Sequence, residues 1–480
     1  MENKKVKNSK EIKMSKEAKI IIIISIIGIM VTIGYAVYKI RLPILAFTFK
    51  DYKIRKENEA FVTSAKFPND KKEIKDFQVG KSYSVILYED GTVWVAGSNY
   101  VYSSRRGYDY GLQKDKFTKV KVENIEKIAV GDSFVIALNN KGEVYTWGSN
   151  DYGELGRNGY KVDDAPKKIE LENIKEIFVD GNKVAALSNN NEAYYWGYAT
   201  KKDYNKSYEI FKIDDRKIDD IFLAGYKYFF KTHDNKILAL GFGFDGMTDE
   251  INGWATKPIE IDITDVRCIR QENYSEDNKT YIIKNDGSMY TLETSKNNEL
   301  TKVDSNIKIK DIFLYTSSYN EQRYFLIDEN DRLYYNDKCI LENVKLIKKP
   351  IDSHENILIL TQNGEVYNFG NLIDYYAYKE GAINYSTTPI KMNVNNVKLM
   401  GISDIYAILI DNNNKIYKLG KSEHGALGIK ENEIANDFGT GELRTYTTKN
   451  DMRYYRNNTN ETSSTGEKIF IDSSLDTIND

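Results

Sequence analysis

The chain is short of cysteine, histidine and proline, and it carries no excess charge of either sign. Its two cysteines, Cys268 and Cys339, are too few for the disulfide framework of a small secreted domain. They are expected as two separate buried thiols, with one bridge between neighbouring units left open if the domain faces an oxidising medium. Its three histidines, His233, His354 and His424, share no metal-ligand spacing. No P-loop, H-E-x-x-H, G-x-S-x-G or EF-hand loop is present, so neither nucleotide, zinc, acyl-transfer nor calcium chemistry is indicated. The 68 basic and 71 acidic residues leave a net charge of −3, without the basic footprint of a nucleic-acid partner. No segment between 74 and 428 shows the apolar period of a long amphipathic helix. On these grounds no catalytic residue, cofactor or metal is expected, and the chain is not read as an enzyme.

What the chain has is a pattern that returns eight times. Each copy holds two apolar segments, a short turn, and a third segment ending in glycine. The copies start at Ile74, Ile125, Ile174, Ile218, Val266, Ile309, Val344 and Val397, with spacings from 35 (309 to 344) to 53 (344 to 397) residues. A period of this size marks a solenoid, propeller or array. The turns read Asp90-Gly91, Lys141-Gly142, Asn190-Asn191, Asp234-Asn235, Asp286-Gly287, Asn330-Asp331, Asn363-Gly364 and Asn412-Asn413-Asn414. Asn, Asp and Gly tolerate positive φ, so two-residue type I′ hairpins are expected there. The runs that follow, such as VWVAG (93–97), VYTWG (144–148) and AYYWG (193–197), have the Val, Tyr and Trp content of short strands. A fourth segment often carries proline, as in APKKIEL (165–171), KPIEIDI (257–263) and TPIKMNV (388–394), which suits an outermost strand.

Four short antiparallel strands per repeat, set around a ring, describe an all-β propeller of seven or eight blades. A shared closing strand is one way to seal the ring, with Ala60–Phe67 as the segment that would supply it. The segments GSNDYGELG (148–156) and GKSEHGALG (420–428), the first preceded by IAVG, VIAL and GEVYTWG, resemble the repeat of the regulator of chromosome condensation family. That resemblance runs from about 74 to 428 and is best in the second and eighth units; the fifth and sixth have lost most of the glycines. It implies a propeller of seven blades, against eight units counted here. It also brings guanine-nucleotide exchange on a small GTPase into view as one function.

The second feature is the uncharged run Ile20–Tyr38, about as long as a membrane-spanning helix needs to be. Seven lysines precede it (Lys4, Lys5, Lys7, Lys10, Lys13, Lys16 and Lys19), so the positive-inside rule predicts a cytoplasmic N-terminus. The expected organisation is a basic cytoplasmic arm at 1–19, a transmembrane helix at 20–40, a stalk at 41–58, the propeller at 59–428, and a polar, flexible tail at 429–480. The propeller would then lie outside the cell membrane, and the composition suits a bacterial source.

Three long connections would emerge on one face: 99–112, 198–209 and 371–387. Tyr and Arg are the residue types enriched where binding energy concentrates. The candidate partner-binding residues are therefore Tyr100, Tyr102, Arg105, Arg106, Tyr108 and Tyr110 in the first connection, with Tyr375, Tyr376, Tyr378 and Tyr385 in the last. The function that fits is a membrane-anchored, extracytoplasmic binding module for an unidentified protein or glycan. The exchange-factor reading requires a cytoplasmic propeller, and a propeller hydrolase or lyase requires a polar constellation not visible in the chain.

Overall fold

The computed structural model describes residues 72–436 apart from 99–112, 159–161, 199–207, 243–249, 252–253, 272–278, 294–298, 317–321, 351–355, 372–384, 404–405, 423–425 and 429–433. The expected arm, span, stalk and closing segment 60–67 lie outside these residues. Among the described residues no helix is long and apolar enough to cross a membrane.

The described strands form eight antiparallel sheets, in seven of which the four strands follow one another in the chain; in the remaining sheet, blade 4, a short strand intervenes between the third and the fourth. The eight first strands are Ile74–Val79, Ile125–Val130, Ile174–Asp180, Ile218–Ala224, Val266–Arg270, Ile309–Thr316, Val344–Lys348 and Val397–Ile402, each beginning where the repeat predicts. First strands of neighbouring blades lie against one another from blade 1 to blade 6 and from blade 7 to blade 8, Phe325 and Leu333 of blade 6 pack on Val344 and Ile357 of blade 7, and Val397–Ile402 lies against Ile74–Val79. The described residues form a closed propeller of eight blades, with the first strand of each blade innermost. Blade 4 has a fifth strand, Glu250–Ile251, at its outer edge. Pro166, Pro258 and Pro389 all fall in fourth strands, as their missing amides require.

Second strands such as Tyr83–Tyr88, Phe134–Asn139 and Asn356–Thr361 are buried along their whole length. Each has a strand on both edges and a neighbouring blade on both faces, so it reads as a continuous apolar run and not as an alternation. The core is correspondingly a ring of layers between blades. Tyr83, Val85 and Leu87 of blade 1 pack on Ile125, Ile128 and Trp147 of blade 2. Ile74, Phe77 and Ile86 pack on Tyr406, Ile408 and Ile410 of blade 8, which closes the ring.

The hairpins between second and third strands differ from the expected type I′. In blade 1 the amide of Tyr88 donates to Thr92 O and that of Gly91 to Tyr88 O, which encloses a three-residue loop. Its third residue alone has a left-handed backbone, as do Gly142, Asn191, Asn235, Gly287, Asp331, Gly364 and Asn414 in the other blades. This is a type I turn followed by a G1 bulge, which needs one positive φ where type I′ needs two. The left-handed residue also joins blades. Its carbonyl accepts the first amide of the next inner strand at Gly91–Ile125 (3.1 Å), Gly142–Ile174 (3.1 Å), Asn191–Ile218 (2.8 Å), Gly287–Ile309 (2.9 Å), Asp331–Val344 (2.8 Å) and Gly364–Val397 (2.9 Å).

The glycine closing most third strands also has a steric cause. A Cβ on Gly97, Gly197 or Gly241 would stand 2.3 Å from the carbonyl oxygen of Ser82, Asn182 or Tyr226. At Gly97, Gly148, Gly241 and Gly370 the pairing to the fourth strand slips by a bulge. Blade 5 has Glu293 at this place, and its pairing runs from Met289↔Val303 to Glu293↔Glu299 without a slip. The glycines missing from that unit are therefore missing together with the bulge that requires them.

Two expectations are corrected. The fourth strands of blades 1 and 8 are Gln113–Lys119 and Ile434–Asn436, so each of these blades is completed by the chain that follows its own third strand. Ile434–Asn436 falls beyond 428, within the segment expected to be tail. Of the two free cysteines, Cys268 is buried as expected, but Cys339 is exposed, because it sits on the outermost strand of blade 6.

Candidate functional site

Antiparallel order sends the first-to-second and third-to-fourth connections to one rim of the ring, and the hairpins with the interblade links to the other. The hairpin rim is bonded to itself: Asn140 N donates to Asn124 O (3.0 Å), Asn189 N to Asn173 O (2.9 Å) and Gln362 N to Asn343 O (2.8 Å). The opposite rim, here the loop rim, carries the long connections. Tyr100, Tyr102, Arg105, Arg106, Tyr108, Tyr110, Tyr375, Tyr376 and Tyr378 fall in connections that lie outside the described residues. The strands flanking them end and begin at the loop rim, at Ser98 and Gln113 and at Asn371 and Tyr385. Tyr385 itself opens the fourth strand of blade 7, opposite Asn371. His354 and His424 also lie outside the described residues. His233 sits exposed at the hairpin rim with Nδ1 3.2 Å from both carboxylate oxygens of Asp219. Among the described residues no group of three or more His, Cys, Asp or Glu side chains is placed to hold a metal.

Across blades 2 to 4 the loop rim bears a row of three half-buried tyrosines. Tyr152 meets Tyr198 edge-on at 4.9 Å between ring centroids, and Tyr198 meets Tyr226 at 5.4 Å. The first ring is held by the excursion Asn150–Arg157. Asn150 Oδ1 accepts from Leu155 N (3.0 Å), and its Nδ2 donates to Arg157 O (3.1 Å). Arg157 then pairs with Asp163 (2.6 Å) and donates to Thr146 O (3.0 Å), which pins the excursion to its own blade. Trp196 Nε1 donates to Glu154 O (2.8 Å) and ties it to the next blade. Tyr198 is fixed by its backbone amide on Asn182 O (3.0 Å). Tyr152 stands inside the GSNDYGELG motif; Tyr226 carries no sequence signal, since only the turn of the ring brings it beside Tyr198.

Under this row lie charged groups withdrawn from water. Glu154 is buried, and burial pushes its carboxyl up to about 8, although Tyr152 N donates to it (2.8 Å). Lys183 is buried and bonded to Asp180 (2.8 Å) and to Gly225 O. Lys227 is buried with its Nζ on Gln271 Oε1 (2.8 Å), and burial brings its ammonium down to about 8.

Inside the ring, the inner strands of blades 1 to 5 surround a chamber of about 690 Å³. Its wall mixes ion pairs, Lys127–Glu176 among them, with Phe178 and Phe222. Arg270, also on the wall, pairs with Asp311 at 3.1 Å.

Residues 125–154 and 141–182 match models of the Regulator of chromosome condensation (RCC1) repeat. The matched residues fall on the second blade and the first strand of the third. The two matches end at residues 154 and 182, the latter just before the second strand of blade 3 (Lys183–Ser188), so Tyr152 and Glu154 lie inside the matched region and Tyr226 beyond it. The chain is 30% identical over 90 residues to the E3 ubiquitin-protein ligase HERC2 of Homo sapiens and equally to that of Mus musculus. The match covers 18% of this chain and 2% of either relative, so the chain spans a small fraction of their length. Among solved structures, Prp20p from Saccharomyces cerevisiae is similar at 20% identity over 75% of this chain and 85% of that one, with a TM-score of 0.45. Yeast RCC1 (Prp20) bound to Kap60 gives 13% identity over 85% and 95%, with a TM-score of 0.43.

Proposed function

We propose that the chain is a non-catalytic binding module that presents the loop rim of an RCC1-type propeller to a protein partner, with its N-terminal apolar run as the membrane anchor. The observation that supports this reading is the aromatic row Tyr152–Tyr198–Tyr226, which crosses three blades on the rim where the tyrosine-rich connections begin. Aromatic rings held by the scaffold lose little conformational freedom on binding, which is why they act as anchors. The hairpin rim has spent its turn carbonyls on the next blade and its turn amides on its own hairpins and links. The test is photo-crosslinking in expressing cells, with a benzophenone side chain placed at Tyr198 on the loop rim or at Glu89 on the hairpin rim. A discrete adduct from position 198 and none from 89 is the expected result. Adducts from 89 alone would move the partner to the other rim, and loss of the 198 adduct after outside protease treatment of intact cells would agree with an extracytoplasmic propeller.

A further inference from the structure

The innermost strand of each blade has one edge without a strand beside it. In blade 2 a side chain takes that edge. Gln78, on the first strand of blade 1, donates from Nε2 to Ile128 O (2.9 Å) and accepts from Val130 N at Oε1 (3.1 Å). Its carboxamide thus does for the blade 2 edge what a strand would do. The other Nε2 hydrogen goes to Asp76 (2.9 Å).

Blade 3 repeats the geometry without the side chain. Its inner strand pairs with its second strand in the register of blade 2, Phe178↔Ala185 standing where Ala129↔Ile136 stands. Ile177 O and Val179 N therefore face the channel, as Ile128 O and Val130 N do. The residue placed to reach them is the counterpart of Gln78 one blade on, and that residue is Ala129. Ala129, Ile177, Phe178 and Val179 all line the 690 Å³ chamber. In the other blades the counterpart is a larger side chain, or leaves no room for one. In blade 3 it is Phe178, in blade 4 Phe222. In blade 8 it is Gly401, where a Cβ would already stand 2.4 Å from Val79 and 2.6 Å from Phe77.

We propose that the chamber edge of blade 3, Ile177 O and Val179 N beside Ala129, is a receptor for a primary carboxamide. The guest donates an amide N–H to Ile177 O and accepts from Val179 N, repeating the bonds that Gln78 makes one blade earlier. The chamber lies within the volume range of small-ligand sites. The site is independent of the partner proposed for the rim.

The experiment is ligand-observed NMR titration of the full chain in detergent with propionamide, N,N-dimethylpropionamide and the blocked peptide acetyl-Gly-Gln-Gly-methylamide. Propionamide should bind saturably at one site, and the dimethyl compound, which has no N–H to give, should not displace it. Ala129→Gln should weaken propionamide by about tenfold or more, the effect of losing two hydrogen bonds, because the new side chain takes the edge. Ala129→Leu, which fills the same space without an amide, should do likewise and guards against a misfolded first variant. Gln78→Ala should raise the number of sites from one to two by vacating the blade 2 edge. Peptide bound about tenfold tighter than propionamide would identify a polypeptide glutamine or asparagine as the guest; equal affinities would identify a free amide. Equal binding of propionamide and its dimethyl analogue, no saturable binding, or propionamide binding unchanged in both Ala129 variants would overturn the proposal.

Discussion

The side chain of Asn414 accepts the backbone amide of Ile74 at 3.0 Å, across 340 residues of sequence. At the other joints that show this bond the acceptor is the backbone carbonyl of the left-handed turn residue. Where the chain has to meet its own beginning, the side chain of that residue takes over. Asn414 also donates to Glu73 (2.9 Å) and accepts from Lys398 (2.8 Å), and Lys398 pairs with Glu73.

The closure is thus the joint most sensitive to its side chain. Asn414→Gly keeps the left-handed backbone and deletes the acceptor, and should cost about 1–2 kcal/mol. Asn191→Gly, at an interior joint, keeps its carbonyl bond to Ile218 and loses only the side-chain bonds to Lys175 and Asp219, so it should cost less, about 0.5–1 kcal/mol. Urea unfolding midpoints of the two variants compare them directly, and equal losses would mean that the closing bond is no different from the rest.

Gly97→Ala should be among the most damaging single substitutions. The new Cβ would stand 2.3 Å from Ser82 O and 2.7 Å from Tyr83 Cα, at a backbone φ of 96°. Neither neighbour is a flexible side-chain end, so the loss should reach about 3 kcal/mol or more. Glu293→Gly, at the matching place in blade 5, should cost far less, because that blade has no bulge to maintain. Thermal melts of both variants provide the check.

Glu154 makes stability depend on pH. Its buried carboxyl titrates near 8, above the value of an exposed glutamate, so the unfolded chain releases this proton first as pH rises. Its contribution is complete below the ordinary carboxylate range and is lost progressively as pH climbs to about 8. Glu154→Gln keeps an acceptor for Tyr152 N and removes the titration. The variant should match the parent at pH 5 and exceed it at pH 8.5 in denaturant midpoint. Lys227, brought down to about 8, acts in the opposite direction above that pH, adding stability as pH rises toward the ordinary lysine value. Equal midpoints for parent and variant at both pH values would remove Glu154 from the account.

The two thiols should separate by reactivity. Cys339 is exposed, whereas Cys268 is buried beside Asp311 and burial pushes its thiol up to about 12. The thiolate is the reacting form. Ellman's reagent should therefore count one thiol per folded chain and two in guanidinium chloride. Two fast thiols in the folded protein would contradict the burial of Cys268.

By itself the sequence determined the repeat and its boundaries. All eight inner strands begin at the residues the pattern marks, because an apolar residue at that point plugs the seam between two blades in every copy. Glycine, asparagine and aspartate placed the hairpins, since few other residues accept a left-handed backbone, yet composition alone did not separate type I′ from a type I turn with a bulge: both want the same residues, and the backbone bonds decide. The blade number came from the ring, because closure rests on Val397–Ile402 meeting Ile74–Val79 hundreds of residues away, and the fourth strands Gln113–Lys119 and Ile434–Asn436, which pair with their own blades, are too polar or too short to carry a strand pattern. The same holds for the candidate sites. Tyrosine-rich connections are legible as composition, but Tyr226 beside Tyr198, and Ala129 beside the strand edge that corresponds to the one Gln78 takes, exist only once consecutive blades turn the same positions toward one rim and one channel.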